Sequence, residues 1–292
     1  MNVKRLMVSA SGEDTFLKKL LSNKAAIAGL VILLSLVVIA LLASFLSPYA
    51  PTALVAEPYL PPSYSHPFGT DGLGRDIFSQ MIHGTALSLE IGFVSAAGIT
   101  ILGTTVGIIS GYFGSYVDEA LMRVVDVLLV IPSIAFMIFV AVILGPGLES
   151  VLIVIIVFGW PPMARMIRSQ TLTLREREFV ESAVVSGAPK WYILGSMIFP
   201  NVISLIIANG ILAVIYGVIA DASLAFLGLA STKNYSWGTV LYNAQNEGAV
   251  FHGGIAWILA PGIFIALTGI AITLIARAID DITDPRYSAV GR

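Results

Sequence analysis

Cysteine is absent from this chain, which removes disulfides, thiol nucleophiles and thiolate metal sites together. Histidine is nearly absent as well: His66, His83 and His252 are the only three. Charge is scarce, at 12% Asp, Glu, Lys and Arg, where soluble domains carry about 25%. No GxxxxGK followed by Ser or Thr occurs, so ATP hydrolysis through a P-loop is excluded. HExxH and GxSxG are missing too, and with them the catalytic clusters a membrane-embedded hydrolase would need. His66, Asp71, Asp76 and His83 have no compact ligand spacing; turn and capping roles suit them better than a metal.

What the chain has instead is apolar surface. Hydrophobic residues make up 57%, and mean hydropathy is +0.90, which places it in the membrane class. Residues 1–24 form a polar tail with Lys4, Arg5, Lys18, Lys19 and Lys24. Within 25–47, Ile27 to Leu46 carries no charge and is long enough for a hydrocarbon core of about 30 Å, so it reads as a retained anchor. Residues 48–86 are an outer segment, rich in proline up to Pro67. There Ile77, Phe78, Met81 and Ile82 suggest an amphipathic helix lying along the interface.

Residues 87–279 hold five further spans. The second, Leu87 to Tyr112, carries Gly103, Gly107 and Gly111 at four-residue spacing, a face for close helix contact. The third, Val124 to Leu144, is expected to bend or loosen at Pro132. The fourth, Val151 to Ile167, is expected to break at Trp160-Pro161-Pro162. The fifth and sixth are Val202 to Leu227 and Ile255 to Ile279. In the fifth, Asn209 lies halfway along, suited to a helix contact or to the pathway, and Asp221 lies near the far end. A carboxylate there either fixes the helix end or lines a wet cavity. With the N-terminus inside, every Lys and Arg except Arg75 and Lys233 falls on the inner side, leaving 280–292 as an inner tail.

One long polar segment interrupts the oil: residues 175–200, on the inner side of that topology. Phe179, Val180, Ala183 and Val184 give one helical face, and Trp191, Leu194 and Ile198 a second. Ser186-Gly187 separates them as a stop, and Pro189 suits the first turn of the second helix. The unit is therefore helix, glycine bend, helix.

This segment resembles the cytoplasmic loop of ABC importer permeases. Glu181-Ser182-Ala183, three residues, Gly187, nine residues, Met197, one residue, Phe199-Pro200 follows the family spacing, with Ser182, Met197 and Phe199 departing mildly from its commonest residues. Two further stretches resemble the dipeptide and oligopeptide branch, which also includes nickel transporters. One is His66-Pro67, Gly69-Thr70-Asp71, Gly74-Arg75-Asp76, Gly84 and Ser88-Leu89. The other is Ala222 to Leu229 with Ser236-Trp237-Gly238. The tail around Asp280-Asp281 and Asp284-Pro285-Arg286 is similar as well.

The resemblance implies an all-α integral membrane protein of six transmembrane helices with the type I ABC importer permease fold. It implies a multi-pass subunit of the cell membrane with both termini cytoplasmic and no catalysis of its own. The chain would bind no cofactor; ATP and Mg would sit on partner subunits. Those partners would be two ATPases, a second related permease and an extracellular solute-binding protein, within a lipid bilayer and without nucleic acid. The loop Gly228 to Gly254 is the expected landing place of the binding protein or a cap on the pore. Glu181, Ser182, Ala183, Gly187, Ala188, Pro189, Trp191, Leu194 and Pro200 would couple to the ATPase, as a helix seated in a cleft. The cargo would be di- or oligopeptides, with oligosaccharides or nickel as alternatives. A secondary transporter, the reading from a different class, would show related halves and mid-membrane charge; neither is evident in the sequence.

Overall fold

The computed structural model describes residues 18–230 and 235–283. Lys4, Arg5, Lys233, Asp284, Pro285, Arg286 and Arg292 of the charge and tail readings lie outside them. Among the described residues five helices are long and apolar enough to cross a membrane, and a sharply bent pair supplies one more apolar element of that size. The expected count of six spans therefore rests on treating that pair as one crossing.

Helix α1 (Lys24–Leu41) starts where the Asn23 side chain accepts the amides of Ala25 and Ala26 at 2.9 and 3.2 Å. A short helix, α2 (Ala43–Leu46), follows. Helix α3 (Ile77–Phe113) is continuous over 37 residues, roughly 55 Å at 1.5 Å per residue. This corrects the expected interfacial helix at 77–82: those turns are the first part of α3, and Ile77, Met81 and Ile82 are buried. Asp76 caps α3 by accepting the Ser79 amide at 2.8 Å.

Past Gly114 the chain forms α4 (Ser115–Val130) and α5 (Ser133–Leu144), bent by 95° at the break between them. Pro132 explains the bend, because it holds Ile131 in an extended conformation (φ −74°, ψ 132°) that no helix can continue through. Helix α6 (Leu148–Arg175) passes through Pro161 and Pro162 without the expected break. Packing on both sides of the prolines holds it: Gly159 lies against Ile99, and Met163 against Gly103. The glycine stripe of α3 is what lets α6 come so close. A Cβ on Gly107 would sit 2.7 Å from the Ala164 carbonyl oxygen, and one on Gly111 would sit 2.7 Å from Thr171 Cβ.

The loop helices α7 (Glu178–Val185) and α8 (Lys190–Ile193) lead through a π turn, Leu194–Ile198, into α9 (Phe199–Phe226). Helix α10 (Trp237–Asn246) and a 3₁₀ turn, Ala249–His252, precede α11 (Ile255–Thr283). Helix α11 pairs with α1, close enough that a Cβ on Gly29 would meet the Ala271 carbonyl oxygen at 2.7 Å.

The two ends of the bundle differ. At one end, residues 48–76 fold back onto α10 and the turn after it. Trp237 is fully buried there; its amide donates to Ser88 at 2.9 Å and its indole N–H to Thr85 at 3.3 Å. Asp71 accepts Arg75 Nε at 2.5 Å and Gln80 Nε2 at 2.7 Å. His66 Nδ1 lies 2.9 Å from Asp76 Oδ1, so these groups serve turns and caps. Glu247 accepts the Gly72 amide at 2.7 Å, and Tyr59 stacks on His252 with ring centroids 4.0 Å apart. At the other end, the α3–α4 corner meets the loop between α6 and α9.

Candidate functional site

The loop between α6 and α9 is built as a rigid corner. Helix α7 ends in paired reverse bonds: the Gly187 amide donates to Val184 O, and the Ala188 amide to Ala183 O, both at 3.0 Å. Gly187 sits between them at φ +76°, the left-handed backbone this terminus requires. No atom lies within 4 Å of a Cβ placed there, so backbone conformation alone asks for glycine. Pro189 stands just before α8 rather than within it (φ −65°, ψ 145°).

The apolar residues of the corner divide into two sets. Val180, Ile193, Leu194 and Ile198 turn inward to the core. Phe179, Val184, Val185, Trp191 and Tyr192 stay exposed, Trp191 by 77%. Leu194, expected beside Trp191 on the exposed face, is therefore a packing residue, 8% exposed. Trp191 and Leu194 precede and open the π turn, and three residues of α-helix leave them about 60° apart around the axis, so Trp191 faces outward while Leu194 and Ile198 share the core side. Glu181, Ser182, Gly187, Pro189 and Pro200 are exposed, and Ala183 and Ala188 are half-buried. The spacing did not single out Val185 or Tyr192; their exposure next to Trp191 adds them to the face.

The corner is tied to the bundle by charge. Lys190 Nζ lies 5.3 Å from the Phe113 ring centroid, at the end of α3. Arg168, two turns before the end of α6, holds Asp118 of α4 through Nε at 2.5 Å and Nη2 at 2.6 Å. The Ser110 hydroxyl donates to the same carboxylate, and Arg165 bonds Asp126 further along the same two helices. A push on the corner would thus reach α3, α4 and α6 together.

The bend between α4 and α5 opens a cavity of about 560 Å³, lined by Ile131, Pro132, Met163, Asn209 and Tyr216 among others. Asn209 borders it while its Nδ2 donates to Leu205 O at 2.9 Å. Asp221 is elsewhere, 2% exposed at the far end of α9, where the Ser236 hydroxyl donates to it. Ser236 and Thr239 form the capping box of α10, so the carboxylate fastens that helix to α9. In the polar end cluster, burial pushes the Glu247 carboxyl above the usual carboxylate range. The Gly72 N–H opposes that shift, the Asp71 charge adds to it and Arg75 opposes it.

Fold and site together define a multi-pass α-helical membrane protein, and no cluster of three or more His, Asp or Glu side chains suited to a metal occurs among the described residues. Residues 103–289 match the binding-protein-dependent transport system inner membrane component family, and residues 14–62 match the N-terminal TM domain of oligopeptide transport permease C. The chain is 37% identical over 276 residues to the dipeptide transport system permease protein DppC of Alkalihalophilus pseudofirmus, covering 93% of this chain and 89% of the relative. It is 35% identical to the glutathione transport system permease protein GsiD of Pectobacterium atrosepticum, over 94% and 91% of the two chains. A chain of the MetNI methionine ABC transporter in an inward-facing form shares the fold, with a TM-score of 0.57 and 19% identity over 71% of this chain and 98% of that one. The chain belongs to the family of binding-protein-dependent transport system inner membrane components, the permease subunits of ABC importers.

Proposed function

We propose that this chain forms half of the pathway of an ATP-driven importer of di- or oligopeptides, and that residues 175–200 are where a separate ATPase takes hold. The observation that carries the coupling role is the exposed apolar face of Phe179, Val184, Val185, Trp191 and Tyr192 on a corner locked by Gly187. Such a face on a rigid corner fits a cleft in a partner subunit. The peptide cargo rests on the dipeptide and glutathione permeases named above.

The loop faces the cytoplasm, with both termini on that side and the bent α4–α5 pair serving as one of six crossings. The arrangement of segments supports this: 48–76 meets 235–254 at one end, and 114–123 meets 168–190 at the other. A second permease completes the pathway, two ATPases bind ATP and Mg, and a binding protein delivers solute. The cavity at the bend, with Asn209 on its wall, opens toward the second permease, and Asp221 fixes α10. When ATP closes the ATPase pair, the gripped corner moves and carries α3, α4 and α6 with it.

The test is reconstitution of the complex with its ATPases and binding protein in vesicles, followed by uptake of a labelled dipeptide. ATP-dependent accumulation is expected. Uptake by this chain without an ATPase would overturn the reading, and ATP-driven uptake of an oligosaccharide or nickel alone would replace the cargo.

A further inference from the structure

We propose that the 3₁₀ turn Ala249–His252 is a membrane anchor, its tip residues Val250 and Phe251 seated among the acyl chains of the leaflet at the bundle end opposite the 175–200 corner. Phe251 is 91% exposed and Val250 65%, at the tip of a turn whose base is fixed. Ala249 is fully buried, and its carbonyl accepts the Gly254 amide at 2.8 Å. Gly248 and Gly253 flank the turn at φ +66° and +74°, giving it two sharp corners. His252 is pinned by its stack on Tyr59, 4.0 Å away, which leaves its neighbour Phe251 projecting free.

Depth within the bundle identifies the occupant. Beneath the tip lies an apolar groove of about 380 Å³, whose walls include Phe226, Leu241, Ala244, Phe251 and Ile258. Phe226 is the last residue of α9 and Ile258 lies in the first turn of α11, and both helices are long and apolar enough to span. The groove therefore sits level with the ends of two spans, where headgroups give way to hydrocarbon. It continues into an exposed apolar stripe on α11, Ile255, Leu259 and Ile263. An apolar wedge at that depth, continuous with such a stripe, meets lipid tails, and burial of Phe251 among them stabilises the docked 48–76 segment through His252 and Tyr59.

The cysteine-free sequence permits a direct test. Phe251→Cys, and separately Val250→Cys, are spin-labelled and the full complex is assembled with cysteine-free partners in phosphatidylethanolamine–phosphatidylglycerol vesicles. Collision rates with oxygen, which concentrates in lipid, and with a water-soluble nickel chelate are compared. Leu259→Cys serves as the lipid reference and Tyr64→Cys, fully exposed in the 48–76 segment, as the water reference. Labels at 250 and 251 are expected to match position 259, with oxygen collisions several-fold above those at Tyr64. A match to Tyr64 overturns the proposal. Shielding that appears only when the binding protein is added overturns it too, and makes the tip a protein contact. The proposal needs only the spans, not the peptide reading; a Leu259 label in water would count against the spans themselves.

Discussion

Arg168 holds both carboxylate oxygens of Asp118, at 2.5 and 2.6 Å, and so joins the helix that enters the 175–200 corner to the helix that forms the bend. Both side chains are partly buried, between the regime of exposed pairs and that of buried ones. Breaking the pair with Arg168→Met is expected to cost about 1–3 kcal/mol of chain stability. It should also lower transport more than it lowers ATPase binding, because the corner stays intact while its link to α4 is lost. Uptake and ATPase co-purification, measured on the same preparations, check this. Equal losses in both would mean that the pair only holds the fold.

Gly187 gives a sharper case. Its φ of +76° costs an L-residue about 1–2 kcal/mol, and a β-branched side chain suffers most. The space around it is empty, so Gly187→Val should leave the spans folded while reshaping the corner. Transport is expected to fall while ATP hydrolysis by the assembled complex persists, with Gly187→Ala intermediate. Wild-type coupling of uptake to hydrolysis in the Val variant would remove Gly187 from the coupling role.

Trp191 and Leu194 are three residues apart in sequence and belong to different surfaces. Trp191→Ala removes an exposed ring and should leave chain stability within about 0.5 kcal/mol. It should nonetheless weaken capture of the ATPase strongly, as loss of an aromatic anchor does. Leu194→Ala empties a core position and is expected to cost about 2–5 kcal/mol. Thermal unfolding in detergent together with ATPase pull-down separates the two. A Trp191 variant that unfolds early yet still binds the ATPase would invert the assignment.

How much of this was legible in the sequence depends on contact range. Five long apolar helices, the stop at Gly187 and the capping role of Asp76 follow from local patterns, and the structure has them among the described residues. The fusion of 77–82 with the second span was not legible. Thr85 and Ser88 find their partner in Trp237, about 150 positions later, which no local pattern shows. Pro161 and Pro162 read as a break because the glycine stripe of α3 that braces α6 lies some sixty residues away in sequence. Leu194 is misplaced by spacing alone because a stripe of apolar residues does not say which of them face the core and which face outward; Trp191 lies on the outer margin and Leu194 on the inner one.

Glu247 predicts a pH response at the other end of the bundle. Its carboxyl is raised above the ordinary range, chiefly by burial, so the folded chain keeps that proton over a window in which the unfolded chain has lost it. Folding therefore gains from Glu247 as pH falls through this window, and the gain is complete below the ordinary glutamate value. The bond to the Gly72 amide needs only an acceptor, which a protonated carboxyl or an amide still offers. Glu247→Gln is accordingly expected to keep the 48–76 segment docked and to flatten this part of the pH dependence. Protease sensitivity of residues 48–76, followed from neutral pH down through the carboxylate range, checks it. Release of the segment in the Gln variant at neutral pH would show that the negative charge facing Arg75, 3.6 Å away, is what holds it.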